Sequence, residues 1–146
     1  MTYKQLQAEL QAQYNSLFDK VGLFWAFSDE QFEKGKGKNP VSEGYKYVSI
    51  GMGGFYPGQN KQQYHDGIDK IRLWEKQANK ELKKSREETE KAILYELNNH
   101  ECFYTCNIDE VVSLFKGVYT RQQIRAVYKK ANNKRMGAGN ATNTNR

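Results

Sequence analysis

Residues 61–99 make one long stretch of helical character, and that stretch limits what the rest of the chain can build. Its first part places Tyr64, Ile68, Ile71 and Trp74 three or four residues apart, the spacing of one apolar helix face. Its middle, NKELKKSREETEKA (79–92), alternates Lys and Glu at helical spacing and reads as a solvated helix surface. Its end, ILYEL (93–97), turns apolar again. One break is expected between Asn79 and Ser85, giving two helices.

The flanking segments supply the partners. Leu6, Leu10, Tyr14, Leu17 and Val21 form another helical stripe, which Gly22 ends. GLFWAF (22–27) is short, continuous and aromatic, as a buried strand would be. Ser28 with Gln31 makes a capping box, so SDEQFEKG (28–35) reads as a short helix, and GKGKNPVSEG (35–44) as an exposed loop. YKYVSI (45–50) is a second strand, with Tyr45, Tyr47 and Ser49 on one face. Asn107 with Glu110, and Thr120 with Gln123, are further capping boxes for two short helices separated by Gly117. The first would bury Val111, Val112, Leu114 and Phe115, the second Ile124, Val127 and Tyr128. The expected fold is α+β: a mainly helical single domain over 1–131, with a small two- or three-stranded antiparallel sheet and a C-terminal helical hairpin. Residues 132–146 lack apolar side chains that could pack and read as a disordered, basic and polar tail.

Aromatic residues make up 13% of the chain although mean hydropathy is −0.92, which implies a small aromatic core under a charged surface. There is no apolar run of the length a membrane span needs, and MTYKQLQAEL lacks a signal peptide's apolar stretch. A soluble, cytoplasmic protein is expected. The net charge of +6 is concentrated late, with eight basic against three acidic residues after residue 100. Such an end favours nucleic acid or an acidic protein surface, or is simply a solvated terminus.

Four constellations could carry chemistry. YVSIGMGGFYPG (47–58) has three glycines, Gly51, Gly53 and Gly54, after a strand. A dinucleotide fingerprint needs glycine where Tyr56 stands and a helix where Pro57 stands, so a glycine turn or bulge explains the stretch better than a phosphate cradle. His65, His100, Cys102 and Cys106 are the only His and Cys residues. The spacing H-x-C-x3-C fits no closed zinc site, so no metal and no cofactor are expected, and the cysteines read as reduced, small apolar fillers. Glu101 beside His100 is an acid-base pair only if a cleft surrounds it, and no catalytic triad or zinc-protease pattern occurs, so no enzyme is expected. DEVVSLFKGVYTRQQIRAVYKKA (109–131) resembles a helix-turn-helix. In that arrangement Arg121, Gln122 and Arg125 would read bases, while Lys129, Lys130, Lys134 and Arg135 would hold phosphates. The plainer alternative is a helical hairpin whose charged face is solvated.

Three blocks, FWAFSDEQFEKG (24–35), YVSIGMGGF (47–55) and LYELNNHECFYT (94–105), together resemble a group of small proteins of phages and other mobile elements. The match follows the same order over residues 20–131. It marks Phe27, Phe32, Gly51, Gly53, Gly54, Phe55, Asn99, His100 and Glu101 as motif residues without assigned chemistry. In that pattern the positions of Cys102 and Cys106 are not cysteine, which weakens a zinc site further. The resemblance implies a non-enzymatic anti-defence protein, an inhibitor that binds a type II CRISPR nuclease of the Cas9 type, with or without its guide RNA, and blocks DNA binding or cleavage. The positive charge argues against DNA mimicry as the means. The alternative is a small basic nucleic-acid-binding protein that uses the C-terminal hairpin.

Overall fold

The computed structural model describes the backbone from Met1 to Asn143 and side chains as far as Gly137. The chain is α+β and mainly helical, with one three-stranded antiparallel sheet of order β1-β3-β2. Its elements are α1 (Tyr3–Val21), β1 (Phe24–Trp25), α2 (Asp29–Lys38), β2 (Tyr47–Gly51), β3 (Gly54–Pro57), α3 (Lys61–Leu82), α4 (Arg86–Asn99), α5 (Cys102–Thr105), α6 (Asp109–Leu114) and α7 (Arg121–Asn143). Within the span expected to be one domain, contacts group into two compact units: Gln5–Gln77, and Met1–Lys4 together with the chain from Ala78 onward.

In the first unit, Leu17, Val21, Tyr56 and Ile71 form a buried cluster, with Leu10, Tyr14, Tyr64 and Ile68 packed around it. Gly22, at φ +71°, ends α1 in the left-handed conformation that glycine adopts without penalty. Ser28 caps α2 by accepting from the Gln31 backbone N–H, while the Gln31 side chain reaches one residue further back than a standard box, to the Phe27 N–H. The helix does not stop at Gly35 as its glycines suggest; it runs through GKGK to Lys38. Gly35 is there for packing, because a methyl group at that position would overlap the Phe24 ring. The Tyr47 hydroxyl donates to the Asn39 carbonyl at 2.7 Å and ties β2 to the end of this helix.

β2 and β3 are joined by a tight turn in which Met52 and Gly53 both have positive φ, as mirror-image hairpin turns require, with a bulge between Ser49 and Gly51. Phe24, Phe32, Tyr47 and Phe55 pack as one aromatic group, with Phe32 and Phe55 edge to face at 5.0 Å.

In the second unit the expected break falls at Lys83–Ser85, and Ser85 caps α4 through the Glu88 N–H. The core there gathers Tyr3, Leu82, Ile93, Leu97, Val111, Phe115 and Ile124. Val111 and Phe115 are buried as expected, whereas Leu114 is exposed. Thr120 and Gln123 form a complete capping box. Asn107 and Glu110 do not: Asn107 accepts from the Asp109 N–H, and Glu110 is taken by His100 instead. α7 continues past residue 131, where a disordered tail is expected, and is helical to Asn143. Arg135 supplies the reason, since it lies over the Phe103 ring and donates to Asn98, which anchors a further turn. Residues 144–146 lie outside the described residues.

Candidate functional site

α4 ends in the motif that holds Asn99, His100 and Glu101, and the residue around which it is organised is one the sequence reading left without a role. Glu96 is buried, at 6% exposure the only buried charged residue among those described. A carboxylate removed from water must be hydrogen-bonded. The Tyr3 hydroxyl donates to Glu96 Oε1 at 2.7 Å, and Asn99 Nδ2 and His100 Nε2 approach Oε2 at 3.4 Å each. His100 Nδ1 meets Glu110 Oε2 at 2.9 Å, so the imidazole bridges a buried and an exposed carboxylate. Burial first, and then the bond to Glu96, push the Tyr3 phenol far above its ordinary pKa, so it stays a donor. The arrangement ties the chain start, α4 and α6 together. Glu101 is not part of it. Its backbone is left-handed (φ +54°), and its carbonyl accepts from the Tyr104 and Thr105 N–H groups at the start of α5.

Among the described residues no group of three or more His, Cys, Asp or Glu is placed to hold a metal ion. Cys102 is buried and Cys106 exposed, with no disulfide between them. Burial, followed by the nearby charge of Glu110, raises the Cys102 thiol pKa.

The basic residues of α7 do not act as one group. Arg121 pairs with Asp109 at 2.9 Å, Lys130 with Glu90 at 3.1 Å, and Arg135 is held by Asn98 and Phe103. Lys130 and Lys134 border a groove floored by Leu94, Val127 and Ala131. Gln122, Arg125 and Lys129, spaced by three and four residues, share an exposed stripe, and neither cation has an ion-pair partner among the described residues.

The glycines of the hairpin make room for side chains. A Cβ on Gly53 would run into the Phe27 ring, and one on Gly54 would meet Ile50 and Trp25. Trp25 pairs with Gly54 across the β1–β3 ladder, and Ala26 donates to the Gly53 carbonyl at 2.8 Å. Large apolar side chains are left exposed at this end of the sheet: Trp25 is 51% exposed, Phe27 76% and Met52, at the tip, 91%. Phe32 and Phe55 belong instead to the aromatic packing on the other side of β1 and β3. Trp25 and Met52 had no part in the expected site. Met52 was signalled by its place, a large apolar residue between glycines.

The fold and its exposed surfaces define a small, mainly helical α+β protein with an apolar hairpin end and a basic terminal helix. Residues 6–134 match the family of unknown function DUF7659, and the chain belongs to that family. No curated protein and no solved structure matches it. No helix among the described residues is long and apolar enough to cross a membrane.

Proposed function

We propose that the chain is a non-enzymatic anti-defence protein of a phage or other mobile element, which binds a host type II CRISPR nuclease and blocks its action on DNA. The observation that carries a binding role is the hairpin end, where Trp25, Phe27 and Met52 are each exposed to solvent. Clustered exposed apolar side chains mark interaction surfaces, and aromatic residues and Met are the types enriched in them. Met52 holds a left-handed backbone that a non-glycine residue adopts at a cost, and such strain collects where function requires it. Asp29 and Glu30 follow Phe27 in the first turn of α2, so the patch has an acidic flank. The test is co-elution of the purified chain with several type II nucleases, bare and guide-loaded. The wild type should co-elute with at least one, and the Phe27→Ala/Met52→Ala variant, folded by circular dichroism, should not. Failure of the wild type with every nuclease, or equal retention of the variant, overturns the assignment.

A second reading, nucleic-acid binding through α7, is favoured by Arg125 and Lys129, neither ion-paired among the described residues, beside Gln122. It requires salt-sensitive retention of DNA or RNA, weakened when Arg125 and Lys129 are replaced by Ala.

A further inference from the structure

A surface cavity of about 320 Å³ lies where α4, α5 and α7 meet, lined by Asn98, Glu101, Phe103, Tyr104 and Arg135. Its groups are prepared in an unusual way. The Arg135 guanidinium sits 4.0 Å over the Phe103 ring, and Phe103 is itself stacked on Tyr128 at 5.1 Å with the planes 10° apart. Arg135 Nη2 donates to Asn98 Oδ1 at 2.7 Å, and Asn98 Nδ2 donates to the Leu94 carbonyl, so the amide that orients the guanidinium is fixed as well. With one N–H engaged and one face covered, the other face and the remaining donors are what Arg135 contributes to the cavity. Tyr104 is 90% exposed, a large ring left in water beside that guanidinium. The Glu101 carboxylate has no hydrogen-bond or ion-pair partner among the described residues, and its left-handed backbone places it at the start of α5 on the cavity wall.

We propose that this cavity takes one unstacked guanine base, presented by single-stranded nucleic acid. Bases stack on aromatic rings and on arginine planes. Arg135 and Tyr104 supply those surfaces, and Glu101 supplies two acceptor oxygens. Guanine alone among the common bases offers two adjacent donors, N1–H and the N2 amine, to a carboxylate. Asn98 is already engaged and acts as a positioning residue for Arg135. The proposal rests on the nucleic-acid reading of α7 and adds to it a base preference that a basic stripe cannot produce.

Fluorescence anisotropy with labelled 12-nucleotide single strands tests it, comparing guanine-containing, inosine-substituted and all-uridine probes, with guanosine monophosphate as a separate ligand. The wild type should prefer guanine over inosine by on the order of tenfold, since inosine lacks the N2 amine. Glu101→Gln, which keeps the side chain's shape, should erase that preference. Tyr104→Ala should weaken binding to every probe by about tenfold or more. Equal binding of all three probes by the wild type overturns the cavity and leaves the α7 reading standing. Binding of guanosine monophosphate without any strand binding overturns the α7 reading and makes the free nucleotide the ligand of the cavity. Binding of neither overturns both.

Discussion

Tyr3 and Glu96 show at the scale of single residues how a buried charge organises its surroundings. The Tyr3 hydroxyl is the partner of Glu96 Oε1, at 2.7 Å. Tyr3→Phe keeps the ring contacts with Tyr95 and Phe115 but leaves that oxygen without its donor. A buried acceptor left unsatisfied costs about 1–3 kcal/mol, so the urea midpoint should fall accordingly, and an unchanged midpoint would count against Glu96 as the organising group. Cysteine reactivity is a second prediction at this scale. Cys106 is exposed, while Cys102 is buried with its thiol pKa pushed up. Alkylation of the folded chain at neutral pH, followed by mass spectrometry, should label Cys106 well before Cys102. Equal rates would mean that α5 opens readily. Of these residues the sequence made the motif visible but not its chemistry. The single acid in the apolar run ILYEL is the signal that a buried carboxylate lies there, yet its partner Tyr3 is 93 residues away and no local pattern points to it.

At the scale of elements, local rules carried furthest where a boundary is a local event. The Thr120–Gln123 box and the Gly22 stop each depend on residues within four positions, and each stands where the sequence puts it. Where an element's end is decided by packing, the sequence misleads. Two glycines in GKGK argue against a helix, but Gly35 is needed to let α2 lie against Phe24. Helix propensity loses to that contact. The same reasoning gives a prediction: Gly35→Ala, which raises helix propensity, should lower stability by about 1–3 kcal/mol, because the added methyl overpacks the site. A stabilised variant in thermal unfolding would show that Gly35 is not a packing glycine. The hairpin repeats the pattern, since Gly53 and Gly54 are legible as a turn but not as the floor beneath Phe27, Trp25 and Ile50. The surface that carries the proposed binding role was therefore half visible, its backbone in the glycines and its side chains only in three dimensions.

For the molecule as a whole, the excess positive charge is tempered by carboxylates held in their charged form. Hydrogen bonds from Lys84, Lys91 and Lys130, each followed by that lysine's charge, lower the carboxyl pKa values of Glu81, Glu87 and Glu90. The first two pairs lie within a single stretch of chain, but Glu90 joins α4 to α7. A carboxyl whose pKa is lower in the folded than in the unfolded chain binds protons more readily when unfolded. Its contribution is therefore complete above the ordinary carboxylate pKa of about 4.3 and is lost as pH falls through the depressed folded value. The contribution of these three carboxyls should be level above about pH 6 and decline below about pH 4.5. Glu90→Gln should be modestly less stable than the wild type at pH 7, since exposed pairs contribute little, and the two should converge in the acid range. Thermal unfolding of both proteins from pH 3 to 8 measures this. A difference that persists undiminished at pH 3 would mean that the charge of Glu90, paired with Lys130, is not what the substitution removes.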